Sequence, residues 1–329
     1  MMNQRKNPFQ ILQVAENAEE EVIEGAYRKL AQKYHPDHSD LPDAKLRMQE
    51  INWAYGVLRA AKAQTGSLQY REPPLPRQNI PERRTPQWIE SELIYISAGS
   101  FVMGCREADP LAFEVEKLAH RIQLEEFWIA RYPVTREAYR LFLLANLQYS
   151  PPFGWDGLDF PAGTEKHPVT GVSWIYCIAY CRWLSQNSRH NFMLPSEAEW
   201  EKAARGENEL RYPWGNEWDP NRCNTVEQRI NATTPVGEYS PFGDSPYGAG
   251  DMAGNVWEWT RSIFLDYPYN TVDGREQLKL AVKSEISVRG GAFSSKARQV
   301  RTTCRDRAYP GYGNRAYGFR VVLSPTYNG

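Results

Sequence analysis

Five cysteines, five histidines and a basic run near the end of the chain carry most of its reactive side chains. Cys105, Cys177, Cys181, Cys223 and Cys304 form an odd, scattered set without a CxxC pair. That argues against a disulfide framework and against a cysteine zinc site. The histidines are dispersed too. His35 and His38 share one turn, and His120, His167 and His190 stand apart, so no His-x3-His-x-Glu iron helix can be drawn. No GxSxG elbow offers a serine nucleophile. RGGAFSSKARQVRTTCRDR, residues 289–307, joins a Gly-Gly pair to short polar side chains and six arginines or lysines. Such a run suits either a site that has lost its reactive groups or a surface that touches a partner.

The elements that must position these residues fall into three zones. Residues 1–65 read as charge-rich helices. In EEEVIEGAYRKLAQKY, Ile23, Ala26, Tyr27, Leu30 and Tyr34 recur at helical spacing, with acids leading and bases trailing. A second helix, roughly 43–63, places Leu46, Ile51, Tyr55 and Leu58 on one stripe. HPDHSDLP lies between them, and its prolines mark an antiparallel helical hairpin. Residues 66–88 hold five prolines and few apolar anchors, a semi-extended linker. From residue 89 to 329 the pattern turns to short strands, many turns and scattered tryptophans. ELIYISAGSFVMG alternates around a turn as a hairpin would. Two amphipathic helices are expected near Arg136–Ala145 and Trp174–Gln186, with irregular structure dominating later. The fold class expected is α+β.

Net charge is -1, so no global field draws the chain towards nucleic acid or an anionic membrane. No apolar stretch reaches membrane-spanning length, and the N-terminus lacks a signal-peptide pattern. A cytoplasmic protein is the expectation.

YRKLAQKYHPD followed by MQEINWAYGVL resembles the J-domain of DnaJ-type co-chaperones, over about residues 1–65. The resemblance implies docking on a DnaK-type chaperone and stimulation of its ATP hydrolysis through the His35-Pro36-Asp37 turn. Arg28, Lys29 and Lys33 supply a cationic helix face that speeds encounter with an acidic partner. Asp37, on a turn stiffened by Pro36, could pair with an arginine of the chaperone.

FVMGC, HPVTGVSW, MLPSEAEWEKAARG, YPWGNEW, YGAGDMAGNVWEW, SVRGGAF and GFRVV together resemble the formylglycine-generating enzyme family, also called sulfatase-modifying factors. The resemblance runs from about residue 92 to 323 and implies a C-type-lectin-like fold. That fold hosts oxidases, iron-dependent sulfoxide synthases and pure binding proteins. The oxidases hold copper(I) with two cysteines after the Gly-Gly turn. Counting from Gly290-Gly291, those places carry Ser295 and Val300, and neither suits a soft ion. No copper and no enzymatic activity are therefore expected, and Cys304 reads as a small buried hydrophobe. The alternative is a copper-dependent oxidase or another enzyme of this fold. DMAGNVWEW resembles the family's structural calcium loop, which implies ligation by Asp251, the carbonyls of Met252, Gly254 and Val256, and Glu258. The family's other calcium loop would start at Asn224-Thr225, and the chain is shortened after it.

The same fold carries the variable proteins of diversity-generating retroelements, whose ligand contacts lie between the Gly-Gly turn and the GFR strand. The corresponding residues here are Ser294, Ser295, Lys296, Arg298, Gln299, Asp306, Arg307, Tyr309, Tyr312, Asn314 and Tyr317. Tyrosine mixed with adaptable polar groups gives wide contact at little entropic cost. Arg301 and Arg305 suit scaffold ion pairs equally well. The expectation is a non-catalytic module that binds a macromolecular, protein-type ligand and is joined to a chaperone-recruiting J-domain.

Overall fold

A computed structural model describes residues 8–15, 17–34, 47, 51, 54, 55, 58, 92–188, 190–281 and 283–324. The chain divides into two compact units. In the first, helix α1 spans Pro8–Ile11 and α2 spans Glu20–Lys33. The apolar spacing of α2 buries Ile23 and Leu30 against Phe9, Leu12, Ile51, Ala54 and Leu58, and the Tyr27 and Tyr55 rings stack at 4.1 Å. Residues 47, 51, 54, 55 and 58 are helical.

In the second unit, strands β1 (Leu93–Ile96), β4 (Phe127–Ala130), β10 (Val322–Leu323) and β5 (Phe192–Met193) form one sheet in the order β1-β4-β10-β5. Strands β2 (Gly99–Met103) and β3 (His120–Leu124) pair separately. A third sheet runs β8 (Arg305–Ala308), β7 (Ile286–Arg289), β6 (Trp257–Ile263), β9 (Tyr317–Gly318), with β6 and β9 parallel. The hairpin expected within ELIYISAGSFVMG is not formed. β1 pairs with β4 and β2 with β3, because each strand finds its apolar neighbours in a different sheet. Helices α3 (Arg136–Ala145) and α4 (Trp174–Gln186) occupy the residues expected of them.

Helix α5, Glu197–Arg205, lies at the centre. Ser196 and Glu199 close a reciprocal capping box at 3.0 and 2.7 Å, and Gly206 ends the helix with φ 66°. All nine of its residues are buried, although four of them are Glu or Lys. Burying charges is tolerated only when each finds a partner. Glu197 receives Arg305 at 2.7 Å and Arg289 at 3.0 Å, and Glu201 receives Arg289 at 2.5 Å and Arg205 at 2.9 Å. Glu199 takes both terminal nitrogens of Arg261, while Lys202 donates to the carbonyls of Ser97 and Gly99. Burial works against the charge of Glu197, but Arg305 and Arg289 outweigh it and hold its carboxyl below the usual range. Among the described residues no helix is long and apolar enough to cross a membrane.

Candidate functional site

β7 ends at Arg289, and the chain then turns through Gly290 (φ 93°) and Gly291 (φ 73°). A side chain at Gly291 would meet Val300 Cγ1 at 2.5 Å and the Gln299 carbonyl at 2.9 Å, so only glycine lets the turn fold back on itself. Directly after it, Ser295 and Val300, which stand where the resemblance implies copper cysteines, are both buried. Ser295 Oγ accepts the Ala292 N–H at 3.0 Å, closing the turn. Val300 packs with Tyr212, Cys223 and Ala253, against half-buried Trp214 and Trp218. Cys304 is buried as well, and burial pushes its thiol far up. Neither position presents a thiolate. Among the described residues no cluster of three or more His, Cys, Asp or Glu could hold a metal ion.

The eleven residues assigned to ligand contact divide. Ser294, Lys296, Arg298, Asp306 and Arg307 are exposed, and Gln299, Tyr309, Tyr312 and Asn314 half-buried. Ser295 and Tyr317 are buried, which corrects their assignment. Ser295 is consumed by the turn, and Tyr317 packs edge-on to Trp259 and Tyr312. Arg298 is turned inward at its tip. It donates to the Leu111 and Ala112 carbonyls at 2.8 and 3.0 Å and lies 4.0 Å from the Phe113 ring centroid. Arg307 pairs with Glu285 at 3.1 Å, and the Asn314 amide holds Tyr312 and Ala316. Sequence reasoning missed Arg315, an exposed guanidinium 5.8 Å from the Phe293 ring. A basic residue between two tyrosines of the same loop was the available signal. It also missed Glu227, whose carboxylate accepts the Ala297 N–H at 3.0 Å.

Arg301 and Arg305 are scaffold residues. Arg301 meets Glu116 at 2.6 and 2.8 Å, and Thr303 Oγ1 lies 2.9 Å from the Cys105 sulfur in the same buried cluster. Burial raises the Cys105 thiol to about 11, so the cysteine is a structural neighbour rather than a nucleophile.

The five residues of the implied calcium loop fit unequally. Glu258 does not. Arg320 grips both its oxygens at 2.6 Å and Trp200 Nε1 adds a third bond at 3.0 Å, so a dication there would face a guanidinium. Its assignment is corrected accordingly. Asp251 (φ 56°) accepts the Gly237 N–H at 2.7 Å and the Asn255 amide at 3.4 Å. Burial raises its pKa to about 6. Gly254 bridges to Asn224 in the neighbouring loop, where Asn224 Oδ1 is buried without a hydrogen-bond partner among the described residues.

In the N-terminal unit, Arg28, Lys29 and Lys33 are exposed on α2. Arg28 pairs with Glu24 at 2.6 Å, and Lys33 Nζ lies 5.2 Å from the Tyr34 ring centroid. His35, Pro36 and Asp37 fall outside the described residues.

Comparison with known proteins accounts for both units. Residues 7–65 match the DnaJ domain. The chain is 33% identical over 276 residues to the serine/threonine-protein kinase pkn1 of Chlamydia caviae, covering 78% of this chain and 42% of that protein. It thus spans about two fifths of that relative's length. It is 31% identical to the formylglycine-generating enzyme of Thermomonospora curvata, covering 74% of this chain and 97% of the enzyme. With the inactive C-alpha-formylglycine-generating enzyme 2 of Mus musculus the identity is 29%, over 70% of this chain and 85% of that one. Among solved structures, PvdO from Pseudomonas aeruginosa superposes with a TM-score of 0.61 at 26% identity, over 70% of this chain and 94% of PvdO. Treponema denticola variable protein 1 shares the fold, at 0.57 and 21% identity, over 71% and 95%. Residues 78–325 match the Sulfatase-modifying factor enzyme 1-like domain, and the chain belongs to that family, with a DnaJ domain ahead of it.

Proposed function

We propose that the C-terminal module is a non-catalytic binding module and that the J-domain recruits a DnaK-type chaperone to whatever it holds. The observation that carries this reading is the filling of both copper-cysteine positions. Ser295 is spent on the turn and Val300 on the core, so the soft-ligand pair that copper(I) needs is absent from that place. An inactive relative and a variable protein of the same fold support it. The contact surface is narrower than the sequence suggested. It comprises Ser294, Lys296 and Arg315 around Phe293, with Tyr309 and Tyr312 in the loop that carries Arg315. A protein ligand suits this mixture of tyrosine and adaptable polar groups. Calcium enters in reduced form, through Asp251, the carbonyls of Met252, Gly254 and Val256, and Asn224 Oδ1 beside them, with a structural role.

The test is steady-state ATPase turnover of a DnaK-type chaperone with the full chain. Stimulation that collapses with His35→Gln and with Asp37→Asn is expected. Equal stimulation by both variants would remove the chaperone half of the reading. Mass spectrometry of a cysteine-containing sulfatase-type peptide incubated with the chain and copper tests the other half, and aldehyde above background would overturn it.

A further inference from the structure

His120, at the start of β3, is held at both ring nitrogens by backbone groups. Nδ1 lies 2.7 Å from the Leu118 carbonyl, and Nε2 lies 2.8 Å from the Tyr269 amide nitrogen. The partners dictate the tautomer. A carbonyl can only accept, so Nδ1 carries the proton, and an amide N–H can only donate, so Nε2 must be bare. The imidazole is neutral by construction, and adding a proton at Nε2 turns an acceptor towards a donor.

Tyr269 belongs to the segment 264–277 that follows β6. Its phenol binds Ser262 at 2.9 Å and also Glu276, and Glu276 pairs with Arg261 at 2.9 Å. Thr271, Val272, Gly274, Glu276 and Gln277 of this segment line a cavity of about 330 Å³. Leu124, at the far end of β3, lines the same cavity. The hydrogen bond from the Tyr269 amide to His120 ties the segment to that strand.

Among the described residues, the groups around the imidazole give an added proton no hydrogen-bonded anionic partner, and the carboxylates that act on the neighbouring Tyr267, Glu197 and Glu201, are engaged by Arg305 and Arg289. From the same segment, the Tyr267 ring sits edge-on at 5.0 Å, its phenol kept protonated by burial. Arg305 of β8 lies 4.1 Å from that ring's centroid and adds positive charge behind it. β2 presents Met103 opposite His120 in the register, and on β3 itself Arg121 is turned to Ser100. Both ring nitrogens are bonded to backbone, and among the described residues no carboxylate is hydrogen-bonded to either.

We propose that His120 is an acid-sensitive latch. Neutral, it accepts the Tyr269 N–H and holds segment 264–277 on β3; protonated, it releases the Tyr269 amide.

Hydrogen exchange at the Tyr269 amide of the full chain, corrected for the intrinsic pH dependence of exchange, tests the idea together with 15N shifts of the His120 ring. Expected are an Nδ1–H tautomer at pH 8 and a loss of Tyr269 protection of roughly tenfold or more as the ring titrates. His120→Gln keeps an acceptor that does not titrate, and its protection is expected to stay flat. An Nε2–H tautomer in the unaltered chain would overturn the proposal. So would Tyr269 protection that is constant through the ring's titration, or that falls equally in His120→Gln. The first two measurements need no variant, so a misfolded substitution does not shield the idea.

Discussion

Arg301 and Glu116 face each other through two hydrogen bonds, at 2.6 and 2.8 Å, with both side chains fully sealed from solvent. The arginine comes from the basic run that looked like a contact surface, yet it holds down the loop that starts at Cys105. Removing one partner would leave a bare charge in the interior. Glu116→Leu is therefore expected to cost about 3–5 kcal/mol, and the double change Glu116→Leu/Arg301→Met markedly less than the sum of its single changes. Urea denaturation of the four members of this cycle checks both.

Exposure alone does not separate contact residues from clamps. Arg298 ties down the loop at Leu111–Phe113, so Arg298→Ala should lower stability by about 1–2 kcal/mol. Lys296→Glu and Arg315→Glu should stay within about 0.5 kcal/mol of the parent. Thermal melts of the three variants distinguish the roles.

Asp251 predicts a particular dependence on pH. Its folded pKa of about 6 lies above the ordinary carboxylate value, so the folded state holds the proton more tightly. The contribution to stability is present below about pH 4 and is lost as pH rises through 6. Two units correspond to roughly 3 kcal/mol. Asp251→Asn should abolish that part of the slope between pH 4 and 6 in denaturation curves. Calcium added to the parent chain should flatten the same slope by favouring the carboxylate, and a slope unmoved by millimolar calcium would count against calcium at this loop.

Gly254 has φ 75°, and a β-carbon there would sit 2.2 Å from the Asn224 carbonyl oxygen. Backbone cannot yield as a side chain does. Gly254→Ala should cost about 2–3 kcal/mol, whereas Gly157→Ala, with open space around it, should cost only its positive-φ strain of about 1 kcal/mol. Chemical denaturation compares them directly.

Helices α3 and α4 were legible in the sequence because their apolar residues recur at helical spacing. Counting from the Gly-Gly turn gives the types of Ser295 and Val300, but not that the turn and the core engage them. α5 was not anticipated, although its Ser-x-x-Glu cap was visible at Ser196 and Glu199. Its glutamates imply a solvated face, and their burial follows from arginines far away in the chain. The same blindness put Ser295 in the contact set and left the engagement of Arg298 unseen. Residue type shows what a side chain can do, but not that a carbonyl of residue 111 or a turn amide has already engaged it. The wrongly expected hairpin has a related cause, because alternation marks a strand without naming its partner.

The central helix has one more consequence. Its carboxylates Glu197 and Glu199 wait for arginines that follow them by 62 to 108 residues. A growing chain must therefore finish nearly the whole module before its middle can be desolvated without unpaired charge. Until Arg305 emerges, Glu197 lacks one of its two partners, and the half-made module cannot close its centre without a poorly paired charge.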